Sequence, residues 1–144
     1  MAGGKATTFD NDLLKLIFNA TPIANIADNA ASSPLTNFYV SFHNADPGVG
    51  GAQTTSETAY TSYARTAVPR TSVGWTVTGN QVVPAANVNA PLCTGGTDTL
   101  TFFSVGIAAS GAGKILYRGP LSPTISVNPG VTPQLQTGTV ITEN

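Results

Sequence analysis

Apolar residues along this chain change their spacing near residue 37. Before that point they follow one helical stripe. Leu13, Leu14, Ile17 and Phe18 recur at i, i+1, i+4 and i+5, with Asp10 or Asp12 placed to cap the first turn. Thr21-Pro22 should close this helix, because the residue before a proline is pushed out of the α region. Residues 23–31 can add a short second turn with Ile23 and Ile26 inward, and Ser32-Ser33-Pro34 ends the segment. From Asn37 the period is two: Phe38, Val40 and Phe42 point one way, Tyr39, Ser41 and His43 the other.

Short β runs fill the rest. Asp46-Pro47-Gly48 has turn chemistry, and residues 49–58 read as a long polar loop with the composition of a flexible polymer. Strands are expected at about 63–68, around Val88, over 99–108, over 114–118, and at about 124–127 and 137–142. Residues 74–78 and 81–83, joined by Gly79-Asn80, form a hairpin. Short strands with turn signals at this spacing specify a mostly β chain, an antiparallel β-sandwich or barrel-like domain over residues 35–144. A short N-terminal helical segment, residues 1–34, packs on that domain or tethers it. Leu13, Leu14, Ile17 and Phe18 are the expected docking face of the helix. Phe38, Val40, Phe42, Trp75, Phe102 and Ile107 are the expected β core.

Composition narrows what such a domain can do. Only 9% of its 144 residues are charged, against roughly 25% in an ordinary soluble domain, while Thr and Gly number 21 and 15. Hydroxyls, amides and backbone must therefore supply most of the polar surface. With a net charge of −1, that surface favours association over dispersal. Lys5, Lys15, Arg65, Arg70, Lys114 and Arg118 are scattered singly, which argues against nucleic acid as a partner. No apolar run approaches the ~20 residues that span a bilayer. Met1-Ala2-Gly3-Gly4-Lys5 lacks the apolar centre of a signal peptide, so synthesis in a cytoplasm is expected. The single cysteine, Cys93, is expected to be a small buried apolar side chain.

Candidate chemistry is sparse. The stretch from Ala108 to Ile115 has the look of a phosphate loop, but that motif needs Gly where Ala108 stands and Ser or Thr where Ile115 stands. A glycine hairpin turn is the better reading. His43, the only histidine, has no nucleophile or carboxylate at a catalytic spacing. Asp10 and Asp12 suit a helix start, and one histidine, one cysteine and dispersed acids do not make a metal site. Neither catalytic residues nor a cofactor or metal is expected. Tyr60, Tyr63 and Trp75 could stack on sugars, although a lone Trp in a strand is more often packed inside.

Four stretches resemble a family of small tailed-phage virion proteins usually labelled tail-fibre or minor-tail proteins. They are Asn37 to Gly48, Tyr63-Ala64-Arg65 with Val68 after it, Gly74 to Asn80, and Ala108 to Tyr117. The order and spacing of the blocks carry the resemblance, which runs from about Leu13 to the C-terminus. The chain departs from the family pattern at Ser62, where glycine is expected before the Tyr-Ala-Arg block. The resemblance implies a non-enzymatic structural protein of the phage virion, made in the bacterial host cytoplasm. Its partners would be other virion proteins, of tail or capsid, and copies of itself. A tail-fibre or minor-tail position leads, capsid decoration on the phage head is the alternative, and a module binding host-surface glycan is more remote.

Overall fold

The computed structural model describes residues 7–23 and 35–144. In chain order the elements are α1 (Thr7–Asn19), β1 (Asn37–His43), β2 (Thr66–Pro69), β3 (Trp75–Thr78), β4 (Gln81–Pro84), β5 (Val88–Asn89), β6 (Asp98–Gly106), β7 (Ile115–Val127), β8 (Gln134–Leu135) and β9 (Ile141–Thr142). Over the described residues the protein is mostly β, with antiparallel sheets in sandwich-like packing and one short N-terminal helix. Two compact units share the chain: residues 1–36, 69–86 and 136–144 form the first, residues 37–68 and 87–135 the second. Beyond Ile23, the expected second turn lies outside the described residues.

In the first unit, α1 packs on the β3–β4 hairpin, and β9 extends that hairpin to three strands. Leu14 and Phe18, one helical turn apart, are fully buried, and the Phe18 ring meets Trp75 edge-on with centroids 4.8 Å apart. Leu13 and Ile17, from the expected docking face, are only half-buried. Asn11 Nδ2 donates to Gly79 O at 2.7 Å and Asn19 Nδ2 to Trp75 O at 3.1 Å, so both ends of the helix are tied to the hairpin. Gly79, at φ +60, is the first residue of the two-residue turn, the position that demands glycine in a II′ reversal.

Both helix boundaries differ from the expected ones. The helix starts at Thr7, so Asp10 sits inside its first turn, still complementing the unpaired amides there. Apolar spacing locates a helical face well but is silent about the first turn. At the other end Ala20, at φ +52, turns the chain before Thr21-Pro22 is reached. Thr21 N–H then returns to Lys15 O at 3.1 Å. The last turn contains no basic residue of its own. Arg70 supplies the charge from a distance, donating from Nη2 to Leu16 O at 2.6 Å and from Nε to Ile17 O. A third bond, from Nη1 to Leu35 O at 3.3 Å, anchors the chain entering β1.

The second unit holds a four-stranded sheet in the order β2-β1-β6-β7 and a separate β5–β8 pair. β1 and β6 run antiparallel with Ser41 opposite Ser104 and Phe42 opposite Phe103. Phe38, Val40 and Phe42 are buried. On β6 the alternation expected over 99–108 breaks at a register shift between Leu100 and Phe102. The shift inverts the faces, so Phe103 and Val105 are buried, whereas Phe102 is half-exposed and is corrected out of the inner core. Ile107 is also half-exposed, one residue past the strand, where its N–H bonds to Lys114 O. The two strands expected at 114–118 and 124–127 are one, β7, in which residues 121–124 have no partner in the register with β6. Cys93 is buried.

Candidate functional site

The most distinctive side-chain arrangement in the second unit lies where β1, β6 and the loop over 44–58 meet. Period-two alternation sends Ser41 and His43 to the face opposite Phe42. Both are completely buried, as are Ser104 and Gln53. The 44–58 loop folds back over them. Asn44 N bonds to Ser56 O at 2.9 Å, Thr58 N to Phe42 O at 3.0 Å and Gln53 N to Gly113 O at 2.8 Å. The expected flexible polymer is therefore a pinned cover: buried amides must find partners, and β1 and the 107–114 turn provide them.

Beneath that cover runs a hydrogen-bonded row whose direction is set at both ends. Thr55 O can only accept, so His43 Nδ1, 2.9 Å away, carries the proton. His43 Nε2 then accepts from Ser104 Oγ at 2.8 Å, and Ser104 Oγ accepts from Ser41 Oγ at 3.0 Å. Gln53 Nε2 donates to Ser41 Oγ at 3.2 Å and to Tyr39 O at 3.4 Å, while Gln53 Oε1 accepts from Ala108 N at 3.0 Å. Burial lowers the His43 pKa below its ordinary 6.5, offset in part by the Thr55 bond and by Glu57. Gly106 and Gly113 lie under Gln53, where any Cβ would overlap its carboxamide.

A second cluster secures the same loop. Arg65 grips Glu57 with two parallel bonds, Nε to Oε1 and Nη2 to Oε2, each 2.7 Å, and their side chains are 3% and 14% exposed. The remaining Arg65 donors reach Ala108 O at 3.0 Å and Gly111 O at 2.8 Å. Tyr63 Oη donates to Glu57 Oε1 at 3.0 Å and accepts from Phe42 N at 3.1 Å. The Glu57 bonds hold the Arg65 pKa above its usual value, and burial pushes the Tyr63 phenol up. Thr58 Oγ1 donates to Asp98 Oδ2 at 2.6 Å. At the tip, Asp46 accepts from Gly48 N at 2.8 Å and pairs with Arg118.

The chemistry available here is structural. Ser104 and His43 have the spacing of a nucleophile and its base, but neither exposes surface to a substrate. Trp75 is fully buried in the first unit, and Tyr60 is buried with its hydroxyl donating to Pro91 O at 2.7 Å, its pKa pushed up to about 12 by burial. These two rings offer no open stacking face. Among the described residues there is no group of three metal-ligating side chains, and no helix is long and apolar enough to cross a membrane. Gln53 and Ser104 were invisible as a cluster in the sequence because their side-chain partners lie 12 to 63 positions away, and Glu57, 6 and 8 positions from Tyr63 and Arg65, forms no local motif with them. A weak signal existed: three of the four stretches that resemble phage virion proteins supply His43, Tyr63 with Arg65, and the Ala108–Gly113 turn, all at this one place.

The polar side chains of this cluster are spent on holding the chain's own loops. The family model described as podophage GP4 fiber I protein gp80 matches residues 6–143, and the chain belongs to that family. It is thus a phage fibre protein, a structural component of the virion. No curated protein matches the sequence.

Proposed function

We propose that the chain is a tail-fibre or minor-tail-type component, acting through protein–protein assembly on other virion proteins and on copies of itself. Family membership over residues 6–143 is the observation that carries this reading. Two features support it. The surface has few charges to desolvate, so hydroxyls and amides can enter an interface of the ~1,200–2,000 Å² that stable assemblies bury. The groups that could do chemistry are sealed and mutually satisfied, consistent with a non-enzymatic part.

The test is the position and copy number of the chain in purified virions. A specific label seen on the tail, with at most a few dozen copies per particle by quantitative mass spectrometry, is expected. Label spread over the head with hundreds of copies would replace this reading with capsid decoration. A positive glycan array or cell-adsorption signal from the isolated protein would replace it with host attachment.

A further inference from the structure

The row from Gln53 to His43 is a one-way chain of hydrogens. Gln53 Nε2 donates to Ser41 Oγ, Ser41 to Ser104 Oγ, and Ser104 to His43 Nε2. Gln53 cannot reverse, because the two ends of its carboxamide face the Tyr39 carbonyl and the Ala108 amide. His43 cannot reverse either, since its other nitrogen faces Thr55 O. The lone pair on Nε2 is therefore the final acceptor for the whole row. A proton placed there leaves Ser41 or Ser104 holding a hydroxyl hydrogen with no acceptor in the row, whichever way the hydroxyls turn. All four side chains are completely buried, so water reaches none of them while the loop covers the row. A buried cation and an orphaned buried donor both raise the free energy of that closed state.

We propose that His43 is a one-proton latch: protonation at Nε2 opens the 44–58 cover locally while the β1–β6 ladder stays paired. The cover is built to detach. Apart from Pro47, residues 44–58 bury no apolar side chain, so opening wets the row without dismantling the apolar core. Burial holds the ring's pKa below 6.5 against the Thr55 bond and the pull of Glu57 and Asp46, and Arg65 acts in the same direction as burial. The other charges around the loop are Arg118 on β7, paired with Asp46, Asp98 on β6, which accepts from Thr58, and exposed Lys114 beside Ala52. With the folded pKa depressed, the latch is fully shut above pH 6.5. As pH falls from there toward the folded value, the open state binds one proton more than the closed one. The latch lies within the second unit and does not depend on the assembly role proposed above.

Two measurements on the full chain test it. Nitrogen NMR of the imidazole reads the tautomer without ambiguity, because the chain has a single histidine. At neutral pH Nδ1 should carry the proton and Nε2 none. Hydrogen–deuterium exchange, corrected for the intrinsic pH dependence of amide exchange, reads the cover through the Gln53 and Thr58 amides, which bond to Gly113 O and Phe42 O. Below pH 6.5 their protection should fall about tenfold per pH unit until the folded pKa is reached. Amides of the β1–β6 ladder should stay protected over the same range. In His43→Asn the protection of the loop should not change with pH. Should that variant fail to fold, the wild-type tautomer and exchange slope carry the test. A ring protonated on Nε2 at neutral pH overturns the proposal, as does a slope near zero. So does a loop that exchanges in step with the ladder, since the opening would then be global unfolding. The wild-type slope persisting in His43→Asn also overturns it, and assigns the acid response to Glu57, Asp46 and Asp98.

Discussion

His43 is a side chain whose ionisation the fold opposes. Its neutral ring accepts from Ser104 and donates to Thr55 O, and burial depresses its pKa below 6.5. A depressed pKa contributes stability that is fully present above pH 6.5 and is lost as pH falls through the folded-state value, because the unfolded chain takes up the proton first. Denaturant unfolding of the wild type should therefore weaken below pH 6.5 more steeply than that of His43→Asn; parallel pH profiles would remove His43 from this role. Backbone strain gives the opposite sign of effect at Ser62, whose φ of +80 is a conformation glycine adopts freely. Ser62→Gly should stabilise the fold by about 1 kcal/mol, less what is lost with the Ser62–Thr94 hydroxyl contact. A thermal midpoint unchanged or lowered would show that the contact outweighs the strain. This is a place where the sequence was legible through what it lacked: the missing family glycine falls on a left-handed residue.

Arg70 shows how a helix can be completed by a residue remote in sequence, one position past β2. Its guanidinium serves the carbonyls of Leu16 and Ile17, the end where a cation also complements the helix dipole. Arg70→Met keeps the aliphatic stem and should cost about 2–3 kcal/mol, with loss of helical circular dichroism; an effect under about 0.5 kcal/mol would show that solvent serves those carbonyls equally well. For the 44–58 loop the critical pair is Arg65–Glu57. Arg65→Met leaves a shielded carboxylate uncompensated and should cost about 3–5 kcal/mol, and Arg65→Lys should recover only part of it, since an ammonium cannot make the two-pronged bond. Equal stability of Arg65→Lys and wild type, measured by urea denaturation, would contradict the fork geometry. Strand and hairpin positions were readable because each depends on its own alternation and turn residues, as at Gly79-Asn80. Helix ends, the β6 register shift and the union of two expected strands into β7 were not, because each is decided by a neighbouring segment rather than by local pattern.

For the chain taken entire, the apolar choices at Phe38, Val40 and Phe42 on one sheet face and at Leu14, Phe18 and Trp75 in the other unit were legible, since large apolar residues at a regular period have little alternative to burial. Phe42→Ala should cost about 3–5 kcal/mol in chemical denaturation, and a change below about 1 kcal/mol would mean the surroundings close over the missing ring. The polar centre was not legible, since nothing in a hydroxyl, an amide or a lone imidazole announces that a distant loop will come to cover it. That centre has a lesson for engineering. Gln53 must give hydrogen at one end of its carboxamide and take it at the other. Glutamate, nearly identical in shape, can only take when ionised, so it would press its oxygens against the Tyr39 carbonyl and bring an ion into a fully buried place. The closest isostere should thus be a worse tenant than alanine, whose vacancy merely loosens the loop, and a screen ranking replacements by resemblance would order the two backwards.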